Sequence, residues 1–226
     1  TRLRRYRLRR PIDLAIEADI RLVLLLGNQD AETTAIPMIM VCSDPRSPQL
    51  GNHCLVEARH LPAQFGTIER WHANRIAAGV PEGSVDLTPE RALMLEAGLD
   101  RLGAVDFEKG CYVGQEVTAR THYRGLVKRR LVPLTIAGDP PAIESDIMWQ
   151  GTVIGKSKTS TALTVPITGT HGQTDAKSIC LALLKLSDLH NILDAPTNDD
   201  GLMINGHAAR LALANWMQPL PRQGKS

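Results

Sequence analysis

Long apolar stretches are missing from this chain of 226 residues. Its apolar runs, such as Leu22 to Leu26, have the length of a strand, whereas a membrane-spanning helix needs about 18 to 20 apolar residues. The chain also opens without the basic, apolar and small-residue regions of a secretion signal. Hydrophobic residues at 43% and charged residues at 22% are typical of a folded, soluble protein. We therefore expect neither secretion nor a membrane partner.

Aromatic residues are also scarce, at 4% of the sequence. Proteins that bind single-stranded nucleic acids stack the bases on aromatic side chains, and this chain has few aromatic side chains. The net charge of +2 includes six arginines among the first ten residues, which suit either an anion-binding arm or the solvated face of a helix. Because no nucleic-acid fold signature accompanies these charges, we expect no nucleic-acid partner.

Paired cysteines and the common catalytic signatures are absent as well. The four cysteines are 12, 57 and 69 positions apart and include no CxxC pair, which argues against a four-cysteine metal site. Cys42 and Cys180 stand in apolar runs and are expected to be buried. The sequence contains no Walker A loop, HExxH, GxSxG or GxGxxG motif. It therefore does not indicate a P-loop nucleotide-binding protein, a zinc protease, a serine hydrolase or a dinucleotide-binding enzyme.

The sequence that is present predicts an α+β fold. Residues 13–19 and 20–27 look like two strands of a hairpin, and residues 35–44 and 54–58 like two further antiparallel strands. Helices are predicted from Pro62 to Ala78 and from Thr88 onward. Short strand-like runs separated by turn residues follow Lys128 and indicate a small antiparallel barrel. We therefore place one domain in residues 1–127 and a β-barrel domain in residues 128–226.

The most informative segment is DFEKGCYVGQEVTARTHYRGLVKRR, residues 106–130. Cys111 lies between glycines and close to several cations, an environment that favours the reactive thiolate. From local chemistry alone, Cys111 is either a reactive or metal-ligating thiol or a small buried residue in a glycine-rich turn. Gln115 and Glu116 either hydrogen-bond a heterocycle or cap the helix that follows.

This segment resembles the signature of the YgfZ family of folate-binding proteins, whose mitochondrial members act late in iron–sulfur protein assembly. The resemblance rests on KGCYVGQEVTAR, THYRG and KRRLVPL, and it extends to YRLRRPIDL, SDPRSPQLG, RWHANRIAAGVPEG and LMLEAGLDRLGAVDF. The LEAGL run is also similar to a folate-contacting segment of the related glycine-cleavage T-protein. Family members usually begin with a further strand and helix before YRLRR, so site residues from that half cannot be assigned.

The resemblance implies a fold, a cofactor and a set of site residues. The fold would be a T-protein-like body with antiparallel sheets and a C-terminal barrel, and the cofactor would be tetrahydrofolate or another reduced folate. Glu96 would contact the pterin ring, because a carboxylate accepts hydrogen bonds from an aminopyrimidine edge. Lys109 and Cys111 would form the functional centre. Gly110 and Gly114 would give backbone access, Gln115 and Glu116 would orient the loop, and Arg120, Arg124 and Arg129 would either face folate carboxylates or be structural.

Two functions are compatible with these features. The first is a tetrahydrofolate-binding accessory protein that supports assembly or repair of iron–sulfur clusters through Cys111 and contacts client or assembly proteins transiently. The second is a tetrahydrofolate-dependent aminomethyltransferase or other one-carbon transferase. The motif cysteine favours the first function, because one-carbon transfer in the T-protein does not require a thiol there. A third alternative is a purely structural role, in which the site is vestigial. The location would be a bacterial cytoplasm or the mitochondrial matrix.

Overall fold

The computed structural model describes residues 2–7, 10–26, 36–163, 176–195 and 201–221. These residues form an α+β structure with two antiparallel sheets, one of them a closed barrel. The chain divides into two compact units, the first formed by residues 1–43 and 51–65 and the second by residues 44–50 and 66–226. In the described part of the chain, no helix is both long and apolar enough to cross a membrane.

The first unit is built on a three-stranded antiparallel sheet, preceded by a short 3-10 helix at Arg2–Tyr6. Its strands are β1 (Ile20–Leu25), β2 (Met38–Ser43) and β3 (Asn52–Glu57), in the order β1-β3-β2. The antiparallel pair predicted from residues 35–44 and 54–58 is confirmed as β2 and β3. The predicted hairpin of residues 13–19 with 20–27 is wrong, because β1 pairs with the later strand β3 and residues 11–17 form no strand.

The second unit begins with helices whose ends differ from the predicted ones. Helix α1 (Ile68–Ala77) starts six residues after Pro62, because Thr67 is extended and its hydroxyl accepts a hydrogen bond from the Arg70 N–H at 3.4 Å. A short helix, α2 (Gly83–Asp86), follows. The helix predicted from Thr88 is wrong. Glu90 has a φ of 62°, a left-handed conformation that breaks a right-handed helix, and residues 89–91 and 94–103 form turns.

A closed six-stranded barrel forms most of the remaining unit, which confirms the barrel predicted beyond Lys128. The strand order around the barrel is β4-β7-β6-β5-β8-β9, and every pair is antiparallel. The strands are β4 (Arg129–Ile136), β5 (Asp146–Trp149), β6 (Thr152–Ala162), β7 (Ser178–Lys185), β8 (Leu202–Ile204) and β9 (His207–Leu211). Two helices accompany them, α3 (Gln115–Tyr123) before β4 and α4 (Leu186–Asp194) after β7.

Strands β4 and β7 are buried on both faces, which explains their nearly continuous apolar sequences. Alternate side chains such as Val132 and Cys180 enter the barrel core. The intervening ones, such as Leu131 and Leu181, pack outside the barrel against Ile76 of α1. The buried side of α4, formed by Leu186, Leu189 and Ile192, extends the barrel core.

The predicted division between residues 127 and 128 stays a prediction. The first barrel strand begins close to it, at Arg129, but the compact unit that contains the barrel also includes residues 44–50 and 66–128. Burial of the outer face of β4 and β7 under α1 accounts for this larger unit, because these strands share a core with the helix.

Candidate functional site

The cysteine segment, residues 106–114, is a loop that leads into α3. At its start, the Asp106 carboxylate accepts hydrogen bonds from the backbone N–H groups of Glu108 at 2.8 Å and Lys109 at 3.2 Å. A side chain that bonds the backbone two and three residues on fixes a turn locally. The lead-in to Gly110 therefore has a defined geometry without being part of a helix or strand.

Aromatic contacts join this loop to the end of α3. The rings of Phe107 and His122 are stacked, with centroids 4.0 Å apart and planes 26° apart. Phe107 also meets the ring of Tyr123 at 5.9 Å, and His122 Nδ1 lies 4.0 Å from a carboxylate oxygen of Asp100. Sequence reasoning missed Phe107 and His122 as loop supports, since they are fifteen positions apart and match no motif of their own.

Cys111 stands at the exposed part of the loop as a free thiol. The ammonium of Lys109 lies 4.9 Å from the centroid of the Tyr112 ring, a cation–π contact that draws the lysine across the loop. The backbone N–H of Tyr112 donates to Oε1 of Gln115 at 3.3 Å. Exposure of Cys111 is incompatible with the buried-cysteine alternative for this position.

Two glycines, Gly110 and Gly114, lie on either side of Cys111 in the loop. Gly114 has a φ of 87° at the start of α3, in the left-handed region that glycine adopts without strain. A Cβ at Gly110 or at Gly114 would meet no other atom within 4 Å, so both positions are open. The backbone access expected at these glycines is compatible with that space and stays a prediction.

The other residues of the predicted site lie on different surfaces. Gln115 contacts the loop, whereas Glu116 and Arg120 are exposed on α3. Glu96 is buried in the turns that precede the loop and lines a cavity of about 720 Å³. Among the described residues, none from position 98 to 128 contributes to the wall of that cavity.

The cavity is formed by residues 85–97 together with residues of strands β4, β6 and β7 and of the 143–144 turn. Its wall combines apolar side chains with five cations that come from distant parts of the sequence. Three of these cations are ion-paired: Arg129 with Glu96, Lys156 with Asp146 and Lys158 with Glu144. Arg91 and Lys185 have no carboxylate partner within the described part of the chain.

Glu96 and Arg129 form a two-point ion pair in the cavity wall. The guanidinium Nε lies 3.2 Å from Oε1 of Glu96, and Nη2 lies 3.0 Å from Oε2. The main chain carbonyl of Glu96 also accepts a bond from the Leu131 N–H at 2.9 Å, which fixes this turn to β4. A carboxylate has about four acceptor sites, so each oxygen of Glu96 keeps a free one after this pairing.

The two buried cysteines differ chemically from Cys111. Burial in the barrel core raises the pKa of Cys180 to about 12, and burial also raises the pKa of Cys54. The prediction that Cys180 is buried is confirmed, whereas Cys42 is exposed on the edge strand β2. Within the described ranges, no group of three or more His, Cys, Asp or Glu side chains is arranged to hold a metal ion.

Comparison with curated proteins relates the chain to iron–sulfur cluster assembly. It is 35% identical over 148 residues to the mouse protein named iron-sulfur cluster assembly factor IBA57, mitochondrial. The aligned residues make up 61% of this chain and 41% of the mouse protein. The human protein of that name is 35% identical over 140 residues, covering 57% of this chain and 39% of the human protein. A homologue from Mycosarcoma maydis is 42% identical over 121 residues, covering 50% of this chain and 30% of that protein.

The chain thus spans less than half the length of these relatives. No family model matches it. The relatives agree with the part of the motif resemblance that concerns iron–sulfur cluster assembly. The folate-binding part and the roles of the individual site residues stay predictions.

Proposed function

We propose that this chain is part of an iron–sulfur cluster assembly factor that works in mitochondria, with Cys111 as its functional thiol. The names of the mouse, human and fungal relatives support both the role and the location. The thiol would act as a transient ligand or as a redox group, and a soft thiolate is a ligand that suits iron. Client or assembly proteins would be bound only transiently.

The observation that carries this proposal is the way Cys111 is presented. The loop is secured on one side by Asp106 and by the Phe107–His122 stack, and on the other by Gln115. Between these points the thiol is exposed and free. A ligand exchanged between proteins has to be accessible and yet held in a reproducible position, and this loop meets both requirements.

We also propose that the cavity beside Glu96 binds a reduced folate. Its volume of about 720 Å³ is within the usual range for small-molecule sites. The free acceptor sites of Glu96 suit the N–H groups of a pterin, and the unpaired cations Arg91 and Lys185 suit the carboxylates of the folate tail.

The assembly role is tested in cells that lack the protein. Restoring the full-length gene should restore the activity of several iron–sulfur enzymes, and the Cys111→Ser gene should not restore it, most visibly under oxidative stress. Cys42→Ser is the matched control, because Cys42 is also exposed and free. Normal iron–sulfur enzymes in the deletion cells, together with robust methylenetetrahydrofolate formation by the purified protein, would favour the transferase instead.

The folate site is tested by titration calorimetry with tetrahydrofolate. Loss of a charged acceptor in a partly desolvated pocket costs on the order of 1.5 to 3 kcal/mol, so Glu96→Ala should bind roughly tenfold or more weakly than the wild type. Glu69→Ala is the control, since Glu69 is exposed in the first turn of α1. Equal affinities for the wild type and Glu96→Ala would place the folate contact elsewhere.

A further inference from the structure

The cavity beside Glu96 has a row of cations along its barrel wall. Arg129 of β4, Lys185 of β7 and Lys156 of β6 all line the cavity, and these three strands are neighbours in the barrel. Lys185 is the direct cross-strand partner of Arg129. Lys156 is the partner of Leu183, which lies two positions before Lys185 on the same face of β7. These three cations, here named the cationic strip, thus extend over about 10 Å at the usual spacing of strands.

The cationic strip carries more positive charge than its surroundings neutralise. Like charges directly opposite each other in an antiparallel pair are destabilising, yet Lys185 faces Arg129 and has no carboxylate partner of its own among the described residues. Arg129 is held by Glu96, whereas Lys156 pairs with Asp146 at 2.7 Å. Lys156 and Asp146 are both about half exposed, and such pairs contribute little stability. Lys156 can therefore exchange Asp146 for a carboxylate of a ligand.

The number of available cations bears on the length of a folate tail. The tail of a folate with a single glutamate carries an α- and a γ-carboxylate, which the unpaired cations Arg91 and Lys185 can neutralise. Each further glutamate, joined through the γ-carboxyl group, lengthens the chain and adds a carboxylate. Lys156 is the next cation of the strip after Lys185, and its partner Asp146 is replaceable. The strip thus has a place for a carboxylate that a single glutamate does not supply.

We propose that the cavity selects folates with a polyglutamyl tail, that this tail runs along the cationic strip, and that Asp146 competes with the tail for Lys156. This inference rests on the proposed folate site. It adds the class of folate that the site takes and the residues that select it.

A compact anion such as inorganic phosphate suits this wall less well. Phosphate sites commonly gather backbone N–H groups at a helix N-terminus, whereas the cationic strip presents side chains from separate strands. Next to the pair of Arg129 and Lys185 lies an apolar pair, Leu131 opposite Leu183, which lines the same cavity. Apolar side chains beside a row of cations suit a ligand with an uncharged ring at one end and a chain of carboxylates at the other.

The first measurement compares two ligands by titration calorimetry with the full-length protein. The ligands are tetrahydrofolate with a single glutamate and tetrahydrofolate with a γ-linked triglutamate. The ratio of their affinities, here named the tail advantage, isolates the tail because the rest of the ligand is the same. We expect a tail advantage of about threefold to tenfold, which should decrease as salt is raised. Equal affinities for the two ligands would overturn the proposal.

The second measurement uses two variants that should change the tail advantage in opposite directions. Lys156→Gln removes the cation and should remove most of the tail advantage, whereas Asp146→Asn removes the competing carboxylate and should increase it. A merely structural effect of breaking this ion pair would move both variants in the same direction. Arg210→Gln is the control, because Arg210 is exposed on β9 and outside the cavity wall. A wild-type tail advantage in Lys156→Gln, or one no larger than wild type in Asp146→Asn, would overturn the proposal.

Binding of the monoglutamate separates this inference from the proposed function. If tetrahydrofolate binds and Glu96→Ala weakens its binding, but the tail advantage is absent, the folate site stands and the selection of polyglutamates is wrong. If neither ligand binds, the folate site itself fails and this inference fails with it. The inference requires that the triglutamate binds more tightly and that its advantage depends on Lys156.

Discussion

Solvent exposure separates the four cysteines into two chemical kinds. Cys54 and Cys180 are buried, and burial raises the pKa of both thiols, so both remain protonated at neutral pH. Cys42 and Cys111 are exposed; Cys42 is in strand β2, whereas Cys111 is in a loop. A reactive cysteine has to be accessible to its partner, so exposure in a loop favours reaction at Cys111.

We therefore predict that Cys111 is alkylated fastest of the four cysteines in the folded protein. The expected order is Cys111, then Cys42, whose thiol contacts the His53 carbonyl oxygen at 3.7 Å, with Cys54 and Cys180 unreactive until the chain unfolds. Mass spectrometry after short treatments with iodoacetamide measures each rate. Reaction at Cys111 no faster than at Cys42 would contradict a loop that presents this thiol for reaction. Cys111→Ser should leave the melting temperature unchanged, since the side chain is exposed.

A second prediction concerns alkaline pH and Cys180. The folded pKa of about 12 lies above the unfolded value of about 9, so its contribution to stability is complete below pH 9 and is lost as pH rises toward 12. Between pH 9 and pH 10.5 this loss is about 2 kcal/mol, at about 1.4 kcal/mol per pH unit. Urea unfolding at pH 8 and pH 10.5 measures it.

Cys180→Ala provides the comparison, because other groups also titrate in this range. The variant should be less stable at every pH, since a core side chain is shortened, but it should lose about 2 kcal/mol less than the wild type between the two pH values. Parallel pH profiles for the two proteins would show that Cys180 is not protected from ionisation.

At the scale of single elements, local sequence signals identified strands better than helix ends. Strands β2 and β3 and the barrel strands follow from short apolar runs bounded by turn residues. The hairpin at residues 13–27 failed, because partner choice is a long-range property: β1 pairs with β3, and the pairing of Val23 with Cys54 buries both in the core of the first unit. The helix expected at Thr88 failed because tertiary contacts hold this segment in turns.

A buried carboxylate holds three elements of the second unit together. Asp86, at the end of α2, accepts from the Arg75 guanidinium of α1 at 2.7 Å and from the Glu82 N–H at 2.8 Å. Its other oxygen accepts from the Thr159 N–H at 3.0 Å. Thr159 is at the irregularity in β6, where the regular pairing with β7 is interrupted, so its N–H is available to Asp86.

We predict that Asp86→Ala destabilises the protein by about 3 to 5 kcal/mol, the usual cost of breaking a buried ion pair by removing one of its two partners. Arg75, with only 1% of its side chain exposed, loses its fully buried partner and keeps an ion pair with the partly exposed Glu82 at 3.0 Å. Asp146→Ala is the control: it removes the surface pair with Lys156 and should cost at most about 1 kcal/mol. Urea unfolding measures both. A cost for Asp86→Ala similar to that of the control would show that this carboxylate does not link the three elements.

Over the whole molecule, the sequence identifies the cysteine loop but not the cavity. Cys111 and Gln115 belong to one continuous motif, so their proximity follows from their spacing. The cavity instead depends on contacts across the fold, such as Glu96 with Arg129, and Lys185 reaches it from a later barrel strand. Sequence patterns report which residues share a face of one strand, and they do not report which faces of separate strands meet.

Trp216 supplies long-range contacts within the second unit. Trp216 packs against the barrel core and against the cluster formed by Leu50, Ala78, Val80 and Leu102. Its indole N–H donates to the carbonyl oxygen of Ala78 at 2.7 Å, across 138 positions of sequence. Gly98 is needed beneath the ring, since a Cβ there would approach the indole to 2.8 Å. One side chain thus joins two cores that were formed by distant parts of the chain.

We predict that Trp216→Ala destabilises the protein by about 3 to 5 kcal/mol, because it removes a large ring from both cores. Trp216→Phe keeps most of the packing and loses the hydrogen bond, which leaves the Ala78 carbonyl unpaired at a cost of about 1 to 3 kcal/mol. Trp149→Phe is the matched control, since Trp149 packs on the barrel core alone and should lose less. Urea unfolding of the three variants ranks them. If Trp216→Ala costs no more than Trp149→Phe, the barrel and the layer around α1 are held together by the β4 and β7 faces without this segment.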